Sequence, residues 1–369
     1  MQLRVLYKKA LALEDLDIQE ALYLYREAPI SDLMYIADEL RKVHTNNSGI
    51  VGWIVDRNVN ITNVCIARCK FCNFSRPLGA PDSYITTMEE YRSKIKELFQ
   101  LGGNQLLLQG GLHPYLDIEY YEDLFRSLKR EFPQLKLHAL SPAEIVYISK
   151  KSGLTYRETL QRLINAGLDS LPGAGAEILS DRVRRIVSPG KCTAEEWLEV
   201  MRQAHILNLP TSATMMYGTL ETDYERIEHL IKIRDLQKLK PSGHYGFITF
   251  VPWPYQPENT RLQREYPHLG RSTAVEYIRI IAISRIVLNN IKNIQASWLT
   301  VGKEVAQICL HAGANDFGSI MIEENVVSSA GAKFKMGIQQ IQEAIKEAGF
   351  IPAYRNQKYE YIDYQPLTI

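Results

Sequence analysis

This sequence lacks any marked excess of positive or negative charge. Forty-three Lys and Arg stand against forty-two Asp and Glu, a formal net charge of +1 over 369 residues. No polyanionic partner is advertised, and nucleic-acid binding by bulk charge is disfavoured. Long apolar runs are missing too. None approaches the roughly 18 residues of a membrane helix, so no membrane insertion is expected. The opening residues, MQLRVLYKKALALEDLD, lack the apolar stretch and small-residue cleavage site of a secretory signal, and a cytoplasmic location is the expectation. No repeat, low-complexity stretch or long linker interrupts the chain. Cysteine is scarce, and its count of five is odd, against the even numbers of a secreted disulfide scaffold. What is present is ordinary: 46% hydrophobic and 23% charged residues, enough to exclude disorder and to bury a large core without staples.

The length suits two domains or one large α/β barrel. The first fifty residues read as helical. Ile18, Ala21, Leu22 and Tyr25 share one face, Leu33, Ile36, Leu40 and Val43 another, and Pro29 separates the two segments. Short apolar runs follow at 59–64, 104–109, 136–140, 168–171, 211–217, 245–251, 294–298 and 314–317. Amphipathic stretches lie between them, at 88–101, 120–132, 156–166, 194–207, 223–236 and 273–288. Gly102, Gly167 and Gly313 stand where helices should stop. Eight strands alternating with helices predict a (β/α)8 TIM-type barrel over 52–335, after a helical segment at 1–51. A C-terminal helix and tail, 336–369, would pack on the barrel. An open doubly wound sheet is the alternative.

A barrel carries its chemistry at the C-terminal ends of its strands. The unusual residues fall there. Cys65, Cys69 and Cys72 follow the first run in NVCIARCKFCNF, spaced C-x3-C-x2-C. Three thiolates can hold three irons of a [4Fe–4S] cube and leave the fourth iron open. A structural zinc site remains an alternative, but it wants a second ligand pair; His44 and His113 would have to approach through folding. A chance cluster is the other alternative. Cys192 and Cys309 stand alone and read as inert buried thiols.

The cysteine spacing after a first barrel strand, with Phe71 before the last thiol, resembles the radical S-adenosylmethionine (SAM) enzymes. The resemblance implies one [4Fe–4S] cluster per chain on Cys65, Cys69 and Cys72. It also implies S-adenosylmethionine chelated at the open iron and a 5′-deoxyadenosyl radical. QGGLHP resembles the family's Gly-rich loop, so Gln109, Gly110 and Gly111 become cofactor contacts, although the usual Gly-Gly-Glu carboxylate is replaced. HALSPAEI and GAGAEILSDRVRR resemble segments that hold ribose and carboxylate, which adds Ser141 and Glu177. Glu177 read on its own is equally a helix N-terminal acid.

VDRNVNITNVC, TMMYGTLET, GFITFVPWPYQPENTRL, QASWLTVG and GANDFGSIMIEENVVSSAG recur in order. They resemble the branch of menaquinone-pathway cyclases acting on dehypoxanthine futalosine, related to aminofutalosine synthases and FO synthase subunits. The branch implies a low-potential electron donor, a ferredoxin or flavodoxin. Asp316 and His244 are then candidate bases, and Asn58, Asn60, Trp253 and Asn315 candidate substrate contacts. Each has a plainer role: interior hydrogen bonding for the asparagines, a structural histidine, a rigid Pro-flanked tryptophan. Of Asn315, Asp316, Glu323 and Glu324, two are expected to be solvent or cap residues. Arg285 is expected in a salt bridge, and Arg182, Arg184 and Arg185 on a solvated helix face. A non-catalytic electron carrier would normally ligate every iron, which three thiols cannot do.

Overall fold

A computed structural model describes residues 2–364. Its strands are β1 Ile50–Ile54, β2 Asp56–Asn60, β3 Gln105–Gln109, β4 Lys136–Ala139, β5 Leu168–Ser170, β6 Thr211–Tyr217, β7 Phe247–Pro254, β8 Asn293–Ile294, β9 Asp316–Ser319 and β10 Ile351–Tyr354. All pairings between them are parallel. β2-β3-β4-β5 form one sheet, β6-β7-β8 a second, and β10-β1-β9 a third. The bridge Leu171–Thr211 joins the first to the second, and Gln295–Asp316 joins the second to the third. β1 and β2 are one extended run broken at Val55, so β9 on β1 and β3 on β2 close the ring. The result is the expected eight-stranded (β/α) barrel, with β10 added beside β1.

The outer helices begin on a repeated signal. Thr87, Thr155, Thr193 and Thr222 each cap a helix, and a Glu three residues later returns the hydrogen bond. Such boxes satisfy orphan N–H groups at the helix start and set where each barrel helix begins. Ala274–Val287 is buried nearly all round because the helix Ile30–His44 covers its outer side. Arg279 Nη1 ties the two regions by donating to the carbonyls of Tyr25 and Ala28, each at 2.9 Å.

Several expectations move. The first strand lies at 50–60, not 59–64, because its lumenal side carries Asp56, Asn58 and Asn60 rather than apolar residues. Trp298 starts a short helix instead of ending a strand. Val43 is 55% exposed and leaves the inner face of its helix. The tail supplies β10, and beyond it Arg355, Gln357 and Tyr359 close the end of the barrel where the strands start.

Candidate active site

A cavity of about 420 Å³ runs down the barrel axis, within the size range of small-molecule sites. Cys65, Cys69 and Cys72 line its mouth, all unpaired and each partly exposed. Backbone hydrogen bonds pin their loop from several sides. Ile66 N donates to Leu112 O at 3.1 Å, Lys70 N to Val187 O at 2.8 Å, and Gly190 N to Ala67 O at 3.0 Å. Leu112 N also donates to Cys65 Sγ at 3.3 Å. Gly111 lies so close to this loop that a Cβ would sit 2.1 Å from Val64 O. Only glycine fits there, which explains the Gly-rich loop without any ligand.

Acid and base groups crowd one side of the mouth. Ser141 caps the helix Pro142–Ser152 and donates through Oγ to Glu144 Oε2 at 2.6 Å. The other oxygen, Oε1, accepts from Gly110 N at 3.0 Å. Burial pushes Glu144 up to about 7, against the pull of those two hydrogen bonds. Glu177 is buried and pairs with Lys191 Nζ at 2.6 Å. It adopts a φ of 41°, a left-handed conformation uncommon outside glycine. Lys191 is partly buried, and burial opposes its charge. Cys69 and Glu177 outweigh that cost and hold its pKa above the ordinary lysine value. Its ammonium also lies 5.5 Å from the centre of the Phe71 ring. Burial pushes Cys69 up to about 12, with Lys191 acting against it, so a thiolate there needs positive charge beside it.

A profile of the Radical SAM superfamily matches residues 59–233, and one of the CofH/MqnC C-terminal region matches 244–367. Cyclic dehypoxanthine futalosine synthase from Streptomyces coelicolor is 44% identical over 93% of this chain and 85% of that protein. The protein of the same name from Halalkalibacterium halodurans is 39% identical over 98% and 95%. The chain belongs to the radical SAM superfamily. A second kind of relative shares its radical SAM sequence. 5-amino-6-(D-ribitylamino)uracil--L-tyrosine 4-hydroxyphenyl transferase 1 from Methanosarcina acetivorans is 39% identical over 94% and 90%. Among solved structures, methylornithine synthase (PylB) superposes with a TM-score of 0.69 at 19% identity, over 94% of this chain and 97% of that one, a likeness of fold.

Membership of the radical SAM superfamily makes the chain an enzyme and implies an iron–sulfur cluster and S-adenosylmethionine. The residues present fit both. Three free thiols open onto one cavity beside the Lys191 ammonium. Among the described residues no three His, Cys, Asp or Glu group closely enough for a single metal ion, whereas a cube spreads its thiolates over separate corners. No described helix is long and apolar enough to cross a membrane.

The structure brings most of the expected radical SAM site residues together. Asn58, Asn60, Phe71, Gln109, Gly110, Gly111, Ser141, Glu177 and Trp253 line the same cavity as the cysteines. Three others lie elsewhere. His244 sits in the turn before β7, at the opposite end of the barrel, with Nδ1 2.9 Å from His205 O. Asn315 is buried in the wall, where its Oδ1 accepts from Arg285 and from Ile294 N. Asp316 opens β9 and is held by Arg355 through both oxygens. Glu324 lines the cavity but accepts from Val326 N, Val327 N and Ser328 N. Glu323 pairs with Arg57 and Lys94.

Two arginines differ from expectation. Among the described residues Arg285 meets no carboxylate; fully buried, it donates to the carbonyls of Gly313, Ile291 and Lys292. Arg184 is buried, not solvated, and grips the carbonyls of Gly175, Ala176 and Cys192, which holds the loop carrying Glu177. Sequence reasoning passed over Glu144 and Lys191. Ser141-Pro142-Ala143-Glu144 spells a helix start with an acid at the third position, a signal available for Glu144. Nothing local marks Lys191.

Proposed function

We propose that this enzyme is a radical cyclase that converts dehypoxanthine futalosine to its cyclic form in menaquinone biosynthesis, in the cytoplasm. The observation that carries the reading is identity of 44% and 39% to proteins of that name along nearly the whole chain. Cys65, Cys69 and Cys72 would hold one [4Fe–4S] cluster, and Gln109–Gly111, Ser141 and Glu177 the S-adenosylmethionine. When bound, these groups would supply a 5′-deoxyadenosyl radical; in this reading the ribose C4′ hydrogen would leave in 5′-deoxyadenosine, the ribose carbon would bond to the benzoate ring, and loss of one electron and one proton would restore a closed-shell product. The chain's own part is positional. Lys191 and Glu177 fix charge at the mouth, Phe71 screens the thiols, and the apolar wall around Trp253 packs the substrate and excludes water. A reduced ferredoxin or flavodoxin is the expected electron donor.

The transferase relatives favour a second reading, in which an aromatic fragment of tyrosine is joined to a ribitylaminouracil. Anaerobic turnover separates the two. With C4′-deuterated dehypoxanthine futalosine, a cyclase releases 5′-deoxyadenosine carrying one deuterium and no adenosyl adduct. Deoxyadenosine without deuterium, or a new product only when tyrosine and the ribitylaminouracil are supplied, overturns the cyclase and leaves the radical barrel standing.

A further inference from the structure

Deep in the cavity, three acceptor oxygens have nothing to accept from. Asp56 opens β2 and Asn58 follows two residues on, so both face the lumen. Gln105 opens β3 and is the ladder partner of Asp56. All three line the cavity and are nearly sealed, at 7%, 6% and 5% exposure. The Gln105 amide donates to Asp56 Oδ2 at 3.1 Å, which fixes the direction of that amide. Among the described residues, no donor reaches Asp56 Oδ1, Asn58 Oδ1 or Gln105 Oε1. Ser319 Oγ accepts from the backbone N–H of Asp56 at 3.3 Å, and its hydroxyl also lies near enough to favour the charged carboxylate. Arg355, whose charge Asp56 feels, directs its guanidinium to Asp316 instead.

Buried acceptors without donors are costly and uncommon, and three on two neighbouring strands call for a ligand that brings donors. Arg355 is already neutralised by Asp316. Two of the three free acceptors are neutral amide oxygens, which neutral hydroxyl donors satisfy without bringing a further charge into the site. Strand geometry spaces the three residues about 5 Å across the ladder and about 7 Å along it, a span suited to a carbon chain or ring bearing several hydroxyls.

We propose that Asp56, Asn58 and Gln105 form a hydroxyl-binding subsite at the deep end of the cavity, which takes the sugar or sugar-alcohol part of the substrate. The proposal rests on the reading that this cavity holds the enzyme's small-molecule substrate. It does not depend on which of the two reactions follows, because ribose and a ribityl chain both carry neighbouring hydroxyls. The three are positioning residues: they hold hydroxyl groups of the polyol from the deep side, and in the cyclase reading they orient the ribose whose C4′ hydrogen is taken at its mouth-facing side.

The test is calorimetric binding to cluster-loaded protein with S-adenosylmethionine under non-reducing conditions. The ligands are dehypoxanthine futalosine, the ribitylaminouracil, and an analogue of each lacking one hydroxyl. Wild type should bind at least one deoxy analogue about tenfold or more weakly than its parent. In Asn58→Leu and Asp56→Asn, checked for unchanged melting, that preference should shrink to under about threefold. Should Asp56→Asn fail to fold, Asn58→Leu and Gln105→Met carry the test. A preference that persists in the folded variants, or equal binding of every deoxy analogue by wild type, overturns the subsite. Ribitol alone separates this from a failure of the substrate reading. If neither parent binds, saturable ribitol contacts in NMR saturation transfer that Asn58→Leu abolishes sustain the subsite, and no ribitol binding overturns it.

Discussion

Glu144 joins the start of one helix to the Gly-rich loop, and burial sets its proton. Its folded-state value of about 7 lies above the ordinary 4.5, so over that interval the native chain keeps a proton the unfolded chain has released. The native state then binds more protons, and stability falls as pH rises through the window. The drop is on the order of 1–3 kcal/mol. Urea unfolding of metal-free protein at pH 5 and pH 7.5 should show it, and Glu144→Gln should flatten it. The same slope in the variant would assign the effect elsewhere. The cysteines make a sharper test. Anaerobic reconstitution of Cys65→Ala, Cys69→Ala or Cys72→Ala should lose the visible absorbance and most of the iron. Cys309→Ser, a change at a sealed thiol far from the mouth, should keep both.

At the scale of elements, the tail after β10 has the strongest consequence. Asp316 and Arg355 are nearly sealed and held to each other, and the Tyr359 ring lies 3.7 Å from the Arg355 guanidinium carbon. Arg355→Met would leave a buried carboxylate without its counter-ion. A loss of about 3–5 kcal/mol is expected in denaturant unfolding, and a further Asp316→Asn change should recover part of it. No recovery would mean that Arg355 acts through packing alone. These elements also show what sequence periodicity reaches. Tyr156–Ala166 and Thr211–Tyr217 were legible to the residue, since one has a capping box and the other is buried on both faces. β1 and β2 were misplaced because a lumen that binds something carries polar residues where a strand is expected to be apolar. β10, IPAY, is four residues with a proline, and its partner is 301 residues earlier in sequence. Pro142–Ser152 was hidden by a low amphipathic contrast, since both faces are buried. The mouth was legible because C-x3-C-x2-C and the glycines declare themselves locally. The Asp316–Arg355 pair is long-range, and no spacing rule announces it.

Taken whole, the barrel leaves little room for independent parts. Arg279 fastens the N-terminal helices to the barrel wall, Arg234 Nη1 donates to Leu16 O at 2.6 Å, and the tail stands on the floor. Scanning calorimetry of the metal-free protein should therefore give one unfolding transition. An early transition that spares the barrel would separate the first fifty residues as their own unit. The floor also introduces an order in time. Ribosomes deliver the chain from the N-terminus, so every barrel strand has emerged before residues 355–359 exist. Until then the lumen is a tube open at both ends, and the Asp316 carboxylate faces water instead of a guanidinium. Residues 355–359 are what turn the tube into a cup, and a chain stalled short of Arg355 has a mouth with its three thiols but no bottom to hold a substrate beneath them.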